Sequence, residues 1–186
     1  MNLFDLVAPL YERLIRPPDP AVLSELLALP TDGWLLDAGG GTGRVAARLA
    51  TLTGGVVVSD ESARMLAQAR RDHGLTTVRA HAERLPFCDG QFGRILVVDA
   101  LHHFASAETA IVELARVLSP GGRLVIEEPN IHAAAIKRLA VLEKLALMRS
   151  RFLPPEQIQA LVTAEGLVSR IERDGTTAWV VADKPA

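Results

Sequence analysis

A glycine-rich turn that follows an apolar run and an acid is the part of this sequence best suited to hold a ligand. The stretch LLDAGGGTGR (35–44) places Asp37 just before Gly39, Gly40, Gly41 and Gly43. Glycines after a strand let the backbone come close to a ligand, because no Cβ stands between them. The turn therefore predicts a binding site for a dinucleotide, for a phosphate group, or for a ligand with neither.

The spacing of the glycines disfavours both phosphate-binding motifs. The dinucleotide fingerprint G-x-G-x-x-G would need its third glycine at position 44, which is Arg44. The phosphate loop needs Lys-Ser or Lys-Thr after its last glycine, and neither follows. Asp60, at the end of the next predicted strand, can accept two hydrogen bonds from a ribose diol. These residues predict a ligand that has a ribose and does without a pyrophosphate.

The elements that must position these residues alternate between strand and helix patterns. The strands are predicted at 34–38, 55–60, 76–82, 92–100 and 123–129, and the helices at 43–52, 61–73, 106–118 and 154–167. Strands that are apolar on both faces imply a parallel sheet covered on both sides. Asp174-Gly175, between two further strand patterns, predicts a hairpin. We predict an α/β fold: a doubly wound, mostly parallel, seven-stranded Rossmann-like sheet with helices on both faces and a C-terminal antiparallel hairpin.

The chain is predicted to form a single domain over 1–186. Its parts are an N-terminal helical segment (1–30), a cofactor-binding core (31–129), a helical cap segment (130–153), and a closing helix and hairpin (154–186). The N-terminal segment contains helix patterns at 2–16 and 20–29. The apolar face of 131–148 suits a cap over the site, a dimer contact or a peripheral membrane contact, and the sequence leaves these and the oligomeric state open.

Composition narrows the classes of partner. The net charge of −2 makes nucleic-acid binding improbable, because no basic field gathers phosphates. Cys88 is the only cysteine, so an intrachain disulfide is excluded and a reducing compartment fits. No run reaches the roughly 18 to 20 apolar residues of a membrane span, and the N-terminus is a poor signal peptide. We expect a cytoplasmic protein without an integral membrane segment.

Four blocks in order give the chain a family resemblance. It resembles the class I S-adenosylmethionine-dependent methyltransferases, and most of all the small-molecule group that includes the ubiquinone/menaquinone biosynthesis C-methyltransferases. The blocks are LLDAGGGTGR, VVVSDESARML, AERLPFCDGQFGRILVVDALHHF and ELARVLSPGGRLVIEEP, which run from 35 to 129. The resemblance implies S-adenosylmethionine as cofactor and a small molecule as methyl acceptor.

The resemblance also implies roles for individual residues. Gly39, Gly41 and Gly43 would let the backbone approach the methionine part of the cofactor, with Asp37 near its amino group. Asp60 would hold the ribose. The remaining positions are Ala82 and Glu83, which would border the adenine, and Asp99, Ala100 and Leu101, which would line the floor beneath the sulfonium.

Two positions depart from the family pattern. His81 stands where the family often has an aspartate that contacts the adenine amino group, which leaves adenine recognition partly to backbone groups or to His81. Gly93 replaces the usual acid after Phe92, where a change in how the strand begins is expected.

Methyl transfer requires few catalytic side chains. Displacement at a sulfonium methyl acts on an activated carbon, so the protein contributes mainly by positioning donor and acceptor. A base is needed only if the acceptor must lose a proton. Asp99, His102 and His103 follow the predicted fourth strand at the edge where such sheets bind ligands, and they are the catalytic candidates.

No metal site is predicted. Glu127, Glu128 and Asn130 follow the fifth strand, but their spacing does not match a dedicated metal loop.

Two other functions compete with methyl transfer. A regulatory or scaffold protein would keep the cofactor site without catalysis, and production of S-adenosylhomocysteine separates it from an enzyme. An NAD-dependent oxidoreductase would bind NAD in preference to S-adenosylmethionine.

Overall fold

The computed structural model describes residues 18–130 and 151–186, and the helix patterns at 2–16 and 131–150 lie outside them. Within the described residues, seven strands form one sheet. They are β1 (Thr31–Ala38), β2 (Thr53–Asp60), β3 (Thr76–Arg79), β4 (Phe92–Val98), β5 (Leu118–Pro129), β6 (Val168–Asp174) and β7 (Thr177–Asp183). Their order across the sheet is β3-β2-β1-β4-β5-β7-β6.

Five α-helices are described, and polar caps start three of them. They are α1 (Pro20–Leu26), α2 (Ala46–Leu49, continued by a 3-10 turn, Ala50–Leu52), α3 (Ala63–His73), α4 (Ala107–Val117) and α5 (Pro155–Ala164). Asp19, Ser62 and Ser106 accept backbone hydrogen bonds at the starts of α1, α3 and α4, which satisfies N–H groups that have no partner inside the helix. No helix in this part of the chain is long and apolar enough to cross a membrane.

The pairing of the strands confirms the predicted fold. β1 to β5 pair with one another in parallel, whereas β7 is antiparallel to both β5 and β6. Two apolar cores result. One includes residues of α4 and α5, such as Ile111 and Ile158, and the other includes residues of α1 to α3, such as Leu23, Leu49 and Leu66. The sheet is therefore covered on both faces, as its doubly apolar strands predict.

Several element boundaries differ from those that the sequence predicts. The helix expected from position 43 begins at Ala46, because the left-handed backbone of Gly43 (φ 70°) does not fit a helix. β3 ends at Arg79, three residues early, where the chain turns into a bridge between His81 and Arg84. β5 begins five residues early, at Leu118, because Leu118 pairs with Phe92 of β4.

Gly43 has a packing role in the core. A Cβ built on it would lie 2.6 Å from Cδ1 of Leu75 and 3.2 Å from Cβ of Ala69. Gly74 has a similar backbone, with φ +66°, but nothing lies within 4 Å of its Cβ position. An alanine at position 74 would therefore introduce backbone strain alone, whereas an alanine at position 43 would introduce both strain and steric overlap.

We expect Gly43→Ala to lower the free energy of unfolding by about 3 kcal/mol, from strain plus overpacking. The matched control, Gly74→Ala, carries the backbone strain alone and should cost about 1 kcal/mol. Urea unfolding measures both. Equal losses in the two variants would contradict the packing role of Gly43.

Candidate functional site

The loop after β1 lies where the sheet reverses its strand order. β1 has β2 on one side and β4 on the other. In open sheets of this kind, ligands bind in the crevice outside the carboxyl ends of the strands at that point. The backbone N–H groups of Gly39 and Gly40 donate to the Ser59 carbonyl at 2.8 and 3.2 Å, which fastens the loop to the end of β2. The predicted glycine turn therefore lies in the crevice.

The glycines of this loop are required for different steric reasons. Gly39, Gly41 and Gly43 adopt left-handed backbone, with φ of 73°, 54° and 70°. A Cβ on Gly39 would lie 2.7 Å from Cβ of Ala100, in the turn after β4. A Cβ on Gly40 would lie 2.4 Å from a carboxylate oxygen of Asp37. The alternate-glycine pattern did not single out Gly40, although the unbroken run of three glycines was a signal for it.

Asp37 is a buried carboxylate beneath the loop. It is 1% exposed, and neither oxygen accepts a hydrogen bond from the residues that the structure describes. Burial, and then the charge of Asp60, raise the pKa of Asp37 to about 7. The backbone N–H of Ala46 lies near the carboxylate without reaching hydrogen-bond geometry, and it offsets only part of this rise. Burying a charge without a partner costs free energy, so the position suits a cationic group nearby.

Asp60 ends β2 and faces the same loop. Its Oδ2 accepts a hydrogen bond from the Gly41 N–H at 3.0 Å, and its Oδ1 accepts one from the Ser62 N–H at 2.7 Å. These bonds fix the orientation of the carboxylate. Because each carboxylate oxygen has a second lone pair, Asp60 can still accept hydrogen bonds from two neighbouring hydroxyls.

The turn after β3 lies at the same edge of the sheet, outside the carboxyl ends of the parallel strands. Ala82 is buried there, and His81 is exposed, with its Nδ1 3.3 Å from Oε2 of Glu61. Glu83 is engaged elsewhere, because its Oε1 accepts a hydrogen bond from the backbone N–H of Ser106, the cap of α4, at 3.0 Å. The structure brings Ala82 and His81 to the end of β3 and gives the Glu83 carboxylate a partner within the fold.

The turn after β4 begins with a strained residue. Asp99 has φ of 51°, in the left-handed region that residues with a side chain rarely adopt. Its N–H donates to the Glu127 carbonyl at 3.0 Å, and the next residue, Ala100, is the one that packs against Gly39. Backbone strain of this kind is frequent at functional sites. Asp99 thus lies between the glycine loop and the end of β5.

His102 is held from within the fold. It is 2% exposed, and its Nδ1 lies 2.6 Å from Oε2 of Glu128, whose Oε1 accepts the Leu101 N–H at 2.8 Å. Its ring stacks on Phe152, with centroids 4.3 Å apart. A carboxylate on one ring nitrogen fixes the orientation of the imidazole and favours a proton on that nitrogen.

His103 has a different environment from His102. Its ring centroid lies 4.0 Å from that of His102. Partial burial, and then the charge of His102, lower the pKa of His103 to about 4. Part of the residue is exposed to solvent, and the lowered pKa leaves the ring neutral at pH 7.

The two glutamates at the end of β5 lie on opposite faces of the sheet, as alternation along a strand requires. Glu128 contacts His102, whereas Oε2 of Glu127 accepts the Trp179 indole N–H at 2.5 Å. The pKa of Glu127 is raised to about 7, mainly by burial and in smaller part by the charges of Asp99 and Glu128, while the hydrogen bond from Trp179 lowers it. Within 18–130 and 151–186, no three His, Cys, Asp or Glu side chains are grouped to hold a metal ion.

Comparisons with known proteins decide the family. The model of the methyltransferase domain matches residues 36–126. The chain is 34% identical over 181 residues to the demethylmenaquinone methyltransferase of Thermus thermophilus, covering 81% of this chain and 82% of that relative. The chain belongs to the class I S-adenosylmethionine-dependent methyltransferases. The predicted family is thereby confirmed.

Other similarities of this chain cover less sequence or show the fold alone. It is 39% identical over 114 residues to the ubiquinone/menaquinone biosynthesis C-methyltransferase of Pseudomonas fluorescens, which is 56% of this chain and 44% of that relative. The chain thus spans under half the length of that curated relative. An S-adenosylmethionine-dependent methyltransferase structure from Thermotoga maritima superposes with a TM-score of 0.78 at 23% identity, over 97% of both chains.

The residues of the crevice fit the cofactor of this family, S-adenosylmethionine. That molecule carries a sulfonium and an amino group, both cationic, and a ribose without phosphates. The unpartnered carboxylate of Asp37 suits a cation, and the fixed carboxylate of Asp60 suits a diol. When bound, the cofactor supplies an activated methyl group.

The buried carboxyl of Asp37 should make the stability of the ligand-free protein depend on pH. Because its folded pKa is raised, ionised Asp37 opposes folding, and this cost grows from about pH 4 to about pH 7. Asn cannot ionise. We therefore expect the stability of Asp37→Asn relative to wild type to rise by about 2 kcal/mol between pH 5 and pH 7, measured by urea unfolding.

The control for this experiment is Asp32→Asn, which changes an exposed aspartate at the other end of β1. A stability difference for Asp37→Asn that is as flat with pH as that of the control would contradict the buried, ionisable state of Asp37.

Proposed function

We propose that this protein transfers the methyl group of S-adenosylmethionine to a small-molecule acceptor by in-line displacement. The observation that carries the proposal is the carboxylate of Asp37, buried without a partner among the described residues beneath a glycine loop whose spacing disfavours phosphates. A cation with a ribose is the ligand that this loop and Asp60 suit. The family membership supports the same cofactor.

The proposed cofactor contacts follow the order of the strands. Asp37 lies near the amino group, with Gly39 and Gly41 allowing the backbone to approach the methionine part. Gly43 contributes by packing that holds the loop in place. Asp60 accepts the ribose hydroxyls, and the backbone at Ala82 borders the adenine. In this arrangement Glu83 acts indirectly, by joining the adenine turn to the start of α4.

The proposed catalytic contributions differ among the three candidates. Asp99 forms the floor beneath the sulfonium, where its charge favours a cation. His103, neutral at pH 7, takes a proton from acceptors that must lose one. His102 is a positioning residue, since Glu128 holds both its ring and the backbone of the same turn. Most of the rate enhancement comes from alignment of donor and acceptor.

The acceptor is proposed to lie beside the turn after β4, under the predicted cover of 2–16 and 130–153. The names of the relatives make ring carbons of quinone precursors the first acceptors to try. The exposed thiol of Cys88 suits a reducing compartment such as the cytoplasm.

Ligand choice and turnover test the proposal together. Calorimetry should show binding of S-adenosylmethionine and no comparable binding of NAD. Incubation with a metabolite extract should then produce S-adenosylhomocysteine in excess of a sample without protein. The absence of measurable S-adenosylmethionine binding would contradict the proposal. Binding without any turnover would instead support a cofactor-binding protein that is not an enzyme.

Asp60 should dominate recognition of the ribose. Removing a carboxylate that accepts two hydrogen bonds costs about 3 kcal/mol, so Asp60→Ala should weaken S-adenosylmethionine binding by roughly a hundredfold in calorimetry. Glu61→Ala removes the neighbouring acid, whose side chain is 73% exposed, and should change the affinity less than about twofold. An unchanged affinity in Asp60→Ala would mean that the ribose lies elsewhere.

A further inference from the structure

β6 is the outermost strand at one end of the sheet. Among the described residues its strand neighbour is β7 alone, on the inner side. The seven residues of β6 pair with β7 without a shift in register, and none of the seven is buried. The strand at the other end of the sheet, β3, has only four residues. A long and regular outer strand can pair with a further strand, because half of its backbone N–H and C=O groups point away from the sheet.

The hairpin determines which backbone groups of β6 point outward. A two-residue turn joins Asp174 to its partner Thr177 on β7, and the two ends of such a turn share a hydrogen bond. Bonded and non-bonded pairs alternate along an antiparallel ladder, so three residues of β6 direct their N–H and C=O groups away from β7. They are Ser169, Ile171 and Arg173. The Ser169 carbonyl agrees with this pattern, since it accepts a hydrogen bond from Nε2 of Gln159 on α5 at 3.2 Å.

The charged side chains of β6 complement each other when the strand runs antiparallel to a copy of itself. A pair centred on Ile171 sets Arg170 opposite Glu172 of the second copy, and Glu172 opposite Arg170 of that copy. Within one chain, Arg170 Nε already lies 2.9 Å from Glu172 Oε1, and the two side chains are 48% and 43% exposed. Paired residues have their side chains on the same face of a sheet. The four side chains would therefore form a square in which each charge has two neighbours of opposite sign.

Neighbouring registers bring like charges together. A pair centred one residue away, at 170 or 172, sets Arg170 opposite Arg170 or Glu172 opposite Glu172. A pair centred at 173 sets Arg173 opposite Arg173. Like charges that lie directly opposite each other destabilise a strand pair. The register centred on Ile171 has no such pair, and its outward-pointing residues face one another as an antiparallel ladder requires.

We infer that two copies of this chain associate through their β6 strands, antiparallel and centred on Ile171, so that two seven-stranded sheets join into one. Each copy uses the same surface, which is the arrangement of a two-fold dimer. The dimer is independent of the proposed methyl transfer. β1, whose loop would hold the cofactor, lies four strand spacings, about 19 Å, from β6.

Sedimentation equilibrium of the full chain measures the association. One pair of strands makes a small interface, so we expect the wild type to dimerise with a Kd on the order of tens of micromolar. Arg170→Glu sets acids opposite each other at two positions of the dimer, and Glu172→Arg sets arginines there. Each variant should therefore dimerise at least about tenfold more weakly. The control, Glu25→Arg, makes the same charge change on an exposed residue of α1 and should leave the Kd unchanged.

A mixture of the two variants tests the register. When an Arg170→Glu chain pairs with a Glu172→Arg chain, both cross-strand positions again hold opposite charges. The mixture should therefore recover a Kd within about threefold of the wild-type value, although neither variant does so alone.

Amide hydrogen exchange, followed by NMR, locates the interface in the unchanged protein. The outward N–H of Ile171 becomes hydrogen-bonded only in the dimer, so its exchange should slow as the protein concentration rises. The N–H groups of β3, at the other end of the sheet, should exchange at the same rate at every concentration.

Three results would overturn the strand pairing. They are a wild type that stays monomeric up to about 500 µM, a dimer whose Kd is unchanged in both variants, and a mixture that does not recover association. Urea unfolding shows whether each variant is folded. If either is not, hydrogen exchange at Ile171 decides, and a rate that does not change with concentration would contradict the pairing. Failure of the wild type to bind S-adenosylmethionine would contradict the proposed function and leave the strand pairing intact.

Discussion

A carboxylate buried beneath a glycine loop constrains the whole site. The oxygens of Asp37 lie so close to residue 40 that only glycine fits there, and the loop above it turns through left-handed backbone. Asp60 fixes that loop through the Gly41 N–H. Because none of the described residues bonds to the Asp37 carboxylate, its desolvation opposes folding, and a bound cation offsets that cost.

The other acidic residues at the carboxyl edge of the sheet connect neighbouring loops through hydrogen bonds. Asp60 joins the glycine loop to the start of α3, Glu83 joins the turn after β3 to the start of α4, and Glu128 holds the turn after β4. Each uses backbone N–H groups as partners, which makes these bonds independent of flexible side chains on the other side. A site assembled from separate loops is pre-organised in this way before a ligand arrives.

The two glutamates at the end of β5 have different partners on the two faces of the sheet. Glu128 faces the core beneath α4 and α5, where it orients His102, and both of its oxygens are engaged there. Glu127 faces the opposite side, where Trp179 engages one oxygen. Adjacent identical residues thus have unlike partners, because successive side chains of a strand point to opposite faces of the sheet.

The sequence by itself determined the order of the elements and the seven-stranded fold, because strand and helix periodicity is a local property of the chain. The glycine spacing indicated a ligand with a ribose and no pyrophosphate, and the resemblance carried by four sequence blocks supplied the family and the cofactor. Only the tertiary structure decided that Asp37 lacks a hydrogen-bond partner among the described residues, that the Glu83 carboxylate accepts the backbone N–H of Ser106 at the start of α4, and that Glu127 and Glu128 have different partners. The Glu127–Trp179 and Glu128–His102 contacts join residues 52 and 26 positions apart, on strands and turns that are neighbours only after the sheet has formed. Composition and spacing along the chain carry no record of which side chains meet across strands, and burial, which sets the pKa of Asp37, exists only once both faces of the sheet are covered.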